Sequence, residues 1–183
     1  MKWINHVLIA GAVTAVYDVR LVPPTIIGAT APDWMEWVLK AVGRPVKHRT
    51  STHYLSVWSL AWIAAIFLLP GGLASTLIMA FCWGGVTHIL TDAMTVSGVP
   101  LSPYSDRRFH LFGGRFRTGE PVEYGISAVV VFSCIGLMTL MPSGSWAPFF
   151  YDWAGYYESG VIDGYEWRVN RFEPRSHALR GNA

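Results

Sequence analysis

Apolar residues run along the chain in four long blocks: Ile4–Tyr17, Tyr54–Leu69, Leu73–Leu90 and Gly125–Met141. A membrane-crossing helix needs about 20 apolar residues, with a range of about 17 to 25. The blocks lie at the short end of that range, so some of them start or finish in the interface. Pro70, Gly71 and Gly72 interrupt the pattern between the second and third blocks. That break predicts an antiparallel helical hairpin. Val19–Pro32, VRLVPPTIIGATAP, is apolar but carries Pro23, Pro24 and Gly28. It is too short for a conventional span, which predicts a Pro-broken return segment shielded by other helices.

The polar positions divide the rest. Residues 91–124 form a long connection rich in Pro, Gly and aromatic residues, read as an ordered loop on the membrane surface. The tail, 142–183, is polar yet dense in Trp, Tyr and Phe. That composition suits an interfacial layer or a docking surface for a protein partner. The expected organisation is a membrane-embedded helical domain over 1–141 followed by that tail. The fold class is all-α, a polytopic membrane bundle of about four spanning helices plus the broken return segment. Lys2 is a thin positive flank and His6 intrudes on the first block, so a retained helix is a simpler reading than a signal peptide.

Composition agrees with this pattern. The chain of 183 residues is 52% hydrophobic and 14% charged, against about 25% charged in soluble domains. A net charge of +2 gives no reason to expect nucleic acid. Cys82 and Cys134 both lie inside apolar stretches, without disulfide-framework or metal-ligand spacing. Lys40, Arg44, Lys47 and Arg49 precede the second block, and Arg107, Arg108, Arg115 and Arg117 follow the third. If the hairpin spans, both groups lie on one side, and positive charge marks it as cytoplasmic.

The ionisable residues at the ends of the apolar blocks carry the chemistry. His88 and Asp92 are four apart, on one face of a helix. His48 and His53 bracket RTST, where Thr50 or Ser51 caps the second helix. The hairpin brings these four to one membrane face. His6 and Asp33 join them if the return segment doubles back. Asp33 also reads as a helix N-cap, with Glu36 completing a capping-box pattern. Buried ionisable groups near hydrocarbon are costly and mark sites, and imidazole with carboxylate suits zinc and similar divalent ions.

INHVLIAGA, the PD of APDW, KHRTSTHYL and GGVTHILTDAMTVSGVPLSP together resemble the YdjM-type family of predicted membrane-bound metal-dependent hydrolases, over about His6 to Glu123. The resemblance implies a bacterial inner-membrane location and a site made by His6, Asp33, His48, His53, His88 and Asp92. Thr52, Thr95, Gly98 and Pro100 also match, as supports of loop shape. Met35 stands where the family usually has a second Asp, which argues against a two-metal site; Glu36 beside it is expected to point elsewhere. The expected function is hydrolysis of a lipid or phosphoester at the cytoplasmic face, with a divalent ion, zinc first, as cofactor and membrane lipid as partner. Asp33, His53 and Asp92 are the expected catalytic residues. The four loop arginines would hold an anionic substrate. The alternative is a non-catalytic scaffold or assembly protein that keeps the fold, its polar cluster bracing the helices.

Overall fold

The computed structural model describes residues 1–44, 46–70, 72–140 and Gly164. Apart from Gly164, the expected C-terminal tail 142–183 lies outside the described residues. Among the described residues, five helices form the body: α1 (Trp3–Tyr17), α2 (Val22–Ala41), α3 (Leu55–Phe67), α4 (Leu73–Ala93) and α5 (Pro121–Leu140). Between α4 and α5 lies an antiparallel hairpin of β1 (Val99–Ser102) and β2 (Ser105–Phe109), with Val99 opposite Phe109 and Pro100 opposite Arg108.

Helix ends follow local chemistry. Asp18 is extended and its carboxylate accepts from Arg20 N at 2.9 Å, which turns the chain from α1 into α2. α2 ends where Gly43, at φ 77°, donates to the Lys40 carbonyl and Arg44 to the Leu39 carbonyl. This paired closure needs a left-handed residue and so favours glycine. The stretch expected as a Pro-broken return segment is instead part of α2, a helix of 20 residues. Pro23 and Pro24 fall in the first turn, where no intrahelical N–H is required. Pro32 sits inside the helix, and Asp33 is therefore a mid-helix residue rather than an N-cap.

α4, with 21 residues, is about 31 Å long at 1.5 Å per residue. Among the described residues, two segments are long and apolar enough to cross a membrane, Leu73–Ala93 and Pro121–Thr139. Trp3–Tyr17 and Leu55–Phe67 are shorter apolar helices, so a count of four spans is not confirmed. Leu60, Phe67, Val129 and Phe132 are exposed on their helices, apolar faces that suit lipid.

α2 packs most extensively on α4. A Cβ on Gly28 would collide with the Phe81 carbonyl, and one on Gly84 with the Thr25 carbonyl. The two backbones therefore touch. Membrane helices associate through such small-residue contacts, because burying apolar side chains from lipid gains little. One residue on, Gly85 leaves the notch filled by Trp58 of α3. Trp58, Val86, Ile89, Ala31, Ala93 and Val99 make the main core cluster. α1 is held to α5 by polar contacts: Asn5 Nδ2 donates to Glu123 Oε2 at 3.1 Å, and the Ser127 hydroxyl to Asn5 Oδ1 at 2.9 Å.

Replacing Gly84 with Val should lower the thermal unfolding midpoint in detergent sharply, since overpacking alone costs about 1–3 kcal/mol and here the obstacle is backbone. Gly125→Ala, where the added Cβ meets nothing within 4 Å, is the control and should leave the midpoint nearly unchanged. Similar midpoints for the two variants would contradict the backbone contact.

Candidate functional site

The polar site lies where α1 begins, α2 and α4 end, and α3 and α5 start. α1 supplies His6 and α2 supplies Asp33 and Glu36, three apart on one face. A 3₁₀ turn, Ser51–His53, supplies His53, and α4 supplies His88 and Asp92. Trp58 fixes that turn: while its ring fills the Gly85 notch, its Nε1 donates to the Thr52 carbonyl at 2.8 Å.

Neighbouring groups assign the imidazole tautomers. His88 Nδ1 is 2.7 Å from the Ala29 carbonyl, which only accepts, so Nδ1 carries the proton and Nε2 a lone pair. His53 Nδ1 lies 2.9 Å from Thr52 Oγ1, whose own proton goes to Glu36 Oε1 at 3.1 Å. Nδ1 of His53 therefore donates, and its Nε2 is also bare. His6 Nδ1 lies 2.7 Å from Thr91 Oγ1, and the Thr91 proton is engaged by carbonyls of α4 at 2.9 Å. His6 Nε2 then faces two oxygens, the Met1 carbonyl at 3.2 Å and Asp92 Oδ1 at 3.4 Å.

The inward nitrogens converge on the carboxylates. His53 Nε2 is 3.3 Å from Asp33 Oδ1, and His88 Nε2 is 3.6 Å from Asp92 Oδ2 and 3.9 Å from Asp33 Oδ1. Among the described residues neither Nε2 has a hydrogen-bond partner, though both are buried. The rings of His6 and His88 stack at 3.9 Å, and His53 meets His88 edge-on at 5.2 Å. The ligand atoms of His6, His88 and Asp92 lie within 4.8 Å of one another, as do those of Asp33, His53 and His88. Both groups could hold a metal ion. Asp33 Oδ2 is held from outside by Trp3 Nε1 at 2.5 Å. The Met1 amino nitrogen also lies against Asp92 Oδ1.

Five of the six expected residues thus come together. His48 stands at the rim, its side chain 61% exposed and its Nδ1 2.9 Å from Glu36 Oε2. Glu36 does not point elsewhere, as expected from the sequence; with His48 and His53 it makes a third group whose ligand atoms lie within 4.8 Å. Met35 packs against the core cluster. The loop arginines do not line the site: Arg108 binds the Ser97 and Arg49 carbonyls at 2.8 and 3.1 Å, and Arg107, Arg115 and Arg117 are exposed.

Arg49 is the residue that sequence reasoning missed, counted there only as a charge that sets topology. It is buried, and its Nη2 donates to Asp92 Oδ1 at 2.8 Å and its Nη1 to Thr95 Oγ1 at 2.9 Å. Its backbone is left-handed, φ 58°, a strained state for a side-chain-bearing residue. The available signal was its place between two histidines in HRTSTH. Glu123 and Asn5, fully buried at the α1–α5 contact, were missed as well.

The chain matches the family described as YdjM inner membrane protein over residues 1–157, and it belongs to that family. It is accordingly a mostly helical inner membrane protein. No curated protein and no solved structure matches it.

Burial draws His53 below the ordinary imidazole range; the Asp33 carboxylate 3.3 Å from its Nε2 opposes this, and the nearby His88 adds to it. Below about pH 6.5 the unfolded chain takes up a proton that the folded ring resists. Stability should therefore fall as pH falls through that range. In chelator-treated protein, unfolding midpoints between neutral and mildly acidic pH should drop less for His53→Gln than for the wild type. An equal drop would show that His53 is not among the groups responsible.

Proposed function

We propose that this YdjM-family protein is a metal-dependent hydrolase that acts on a lipid or phosphoester substrate at the cytoplasmic membrane face. The observation that supports it is the common orientation of three buried imidazoles: each Nδ1 is tied outward, and each Nε2 points inward to Asp33 or Asp92. Metal-binding histidines have this arrangement, in which the outer hydrogen bond fixes the tautomer and raises ligand basicity. The Nε2 atoms of His53 and His88, buried without a hydrogen-bond partner among the described residues, support a donor set that suits a divalent ion. Imidazole nitrogen with carboxylate oxygen favours zinc.

His6, His53, His88 and Asp92 would hold the ion. When bound, it supplies Lewis acidity and brings the pKa of water toward neutrality. The chain's own groups then divide the proton work. Asp33 keeps some solvent access, its side chain 13% exposed, and Trp3 fixes its outer oxygen. It is placed to take a proton from the attacking water. His48, at the open rim and paired with Glu36, is placed to return one to the leaving group. Positive residues cluster at the site end, before α3 and after α4, which supports a cytoplasmic orientation.

Purified wild type reloaded with zinc should carry about one equivalent by elemental analysis, since the two inward ligand groups share His88. His53→Ala and Asp92→Ala should lose it while keeping the wild-type helical circular dichroism. Thr52→Val, which removes the hydroxyl behind His53, should weaken affinity about 10- to 100-fold. Folded wild type with no bound metal would sink the hydrolase reading in favour of the scaffold. Hydrolysis of a phosphoester panel by loaded protein separates an enzyme from a structural metal site. For orientation, single cysteines at 107–117 should react with an impermeant thiol reagent only from the cytoplasmic side; labelling from outside intact cells reverses the topology.

A further inference from the structure

We infer that Arg49 is a substrate-binding residue of this site and that the group it binds is a phosphate. The inference rests on the hydrolase reading above and deepens it.

A guanidinium offers five N–H donors in a rigid fork. The donors engaged here are Nη2, with Asp92 Oδ1 at 2.8 Å and Thr118 Oγ1 at 3.3 Å, and Nη1, with Thr95 Oγ1 at 2.9 Å. Nε is buried and has no hydrogen-bond partner among the described residues. An unpaired buried N–H on a charged group is costly, so it marks a place for an acceptor. The Thr95 hydroxyl proton is engaged by the Asp92 carbonyl at 2.8 Å, so Thr95 can only accept from Arg49 and holds the guanidinium in one orientation.

The backbone of Arg49 is held just as firmly. Its N–H donates to Glu36 Oε1 at 3.1 Å, and its carbonyl accepts from Arg108 Nη2 at 3.1 Å. Those contacts, one to a site carboxylate and one to the β-hairpin, maintain a residue with φ 58°. A surface charge that only marked topology would need neither burial nor a strained backbone.

The pairing with Asp92 indicates what Arg49 does when the site is in use. Asp92 is also within reach of His6 and His88. If Asp92 helped to hold a cation with His6 and His88, it would give up part of its hold on Arg49. The guanidinium then has Nε and the Asp92-facing Nη2 to offer to an incoming anion. A tetrahedral phosphate, with several oxygens, can accept from that fork and from the site centre together, and paired N–H···O bonds of this kind are the strong ones. Phosphate on a lipid headgroup and phosphate on a soluble ester present the same oxygens.

The test is calorimetric titration of inorganic phosphate into zinc-loaded protein in detergent, with metal content measured on the same samples. Wild type should bind phosphate. Arg49→Ala at equal metal content should bind at least about tenfold more weakly, the loss of a charge-assisted hydrogen bond. Arg49→Lys, which keeps the charge without the fork, should fall between them. A second arm replaces inorganic phosphate with phosphatidate in mixed micelles. An Arg49 effect in both arms assigns recognition to the phosphate group itself, one confined to phosphatidate assigns a lipid substrate, and one confined to inorganic phosphate assigns a soluble one. Wild-type affinity for both probes in Arg49→Ala at full metal content would overturn the role of Arg49 and leave the hydrolase reading standing. Loss of metal in that variant would make Arg49 a clamp on Asp92 and also overturn the proposal. Wild type without metal overturns the underlying reading itself.

Discussion

The backbone contact between α2 and α4 is the constraint on which the site depends. Gly28 and Gly84 allow the helices to touch where any side chain would collide with a carbonyl. That contact sets the Ala29 carbonyl 2.7 Å from His88 Nδ1. A slip of one helical turn would move the carbonyl about 5.4 Å and leave His88 without its tautomer-fixing partner. The same contact sets the height of Asp33 on α2 relative to Asp92 on α4. In lipid, where apolar burial between helices contributes little, close approach and hydrogen bonds are the available means of holding such a register.

A second layer of polar groups makes the buried charges tolerable. Ionisable side chains near hydrocarbon are expensive unless paired. Threonine hydroxyls do much of the pairing: Thr91 behind His6, Thr52 between His53 and Glu36, and Thr95 under Arg49. Each lies outside the ring of Nε2 and carboxylate atoms, so the outward edge is satisfied by the protein and the inward edge is left open. The β-hairpin contributes through Arg108, which ties β2 to the Arg49 carbonyl. Leu111 N donates to the Ala93 carbonyl at 2.8 Å and Val96 N to the Phe116 carbonyl at 2.9 Å, which seats the loop against the end of α4.

Much of this was readable from the chain, and the failures have physical causes. The apolar blocks correspond to α1, α3, α4 and α5, and the Pro70–Gly72 break correctly brought His53, His88 and Asp92 to one end. α2 runs through its prolines, against the expectation of a broken segment, because proline disrupts a helix only where its ring and missing N–H are not accommodated. Pro23 and Pro24 lie in the first turn, where proline is compatible with a helix, and Pro32 is buried in a helix whose neighbours hold it. β1 and β2 escaped notice because Pro100 and the charged Arg107 and Arg108 hide any strand pattern; their order comes from contacts with α4 and Arg49. Asn5 and Glu123 were masked by the apolar residues around them. The role of Arg49 required the fold, since its sequence context fits equally well with a charge at a membrane edge.

Met35 and Glu36 decide how many ions the geometry suits. Two residues beyond Asp33, a helical side chain points about 200° away, and Met35 accordingly packs against the main core cluster. Three residues beyond, Glu36 returns to the Asp33 face, but it is turned to His48 and His53 Nδ1, at 2.9 and 3.3 Å, rather than to His6 or His88. The acidic groups therefore divide. Asp33 and Asp92 face the three inward nitrogens, while Glu36 is occupied by the Arg49 N–H, the Thr52 hydroxyl and a half-open histidine. A carboxylate already accepting two hydrogen bonds from the surrounding turn is well held to position His48 at the entrance. On the proposed reading, that split would leave one ion inside and a proton-handling pair outside, a division that a second aspartate on the Asp33 face would erase.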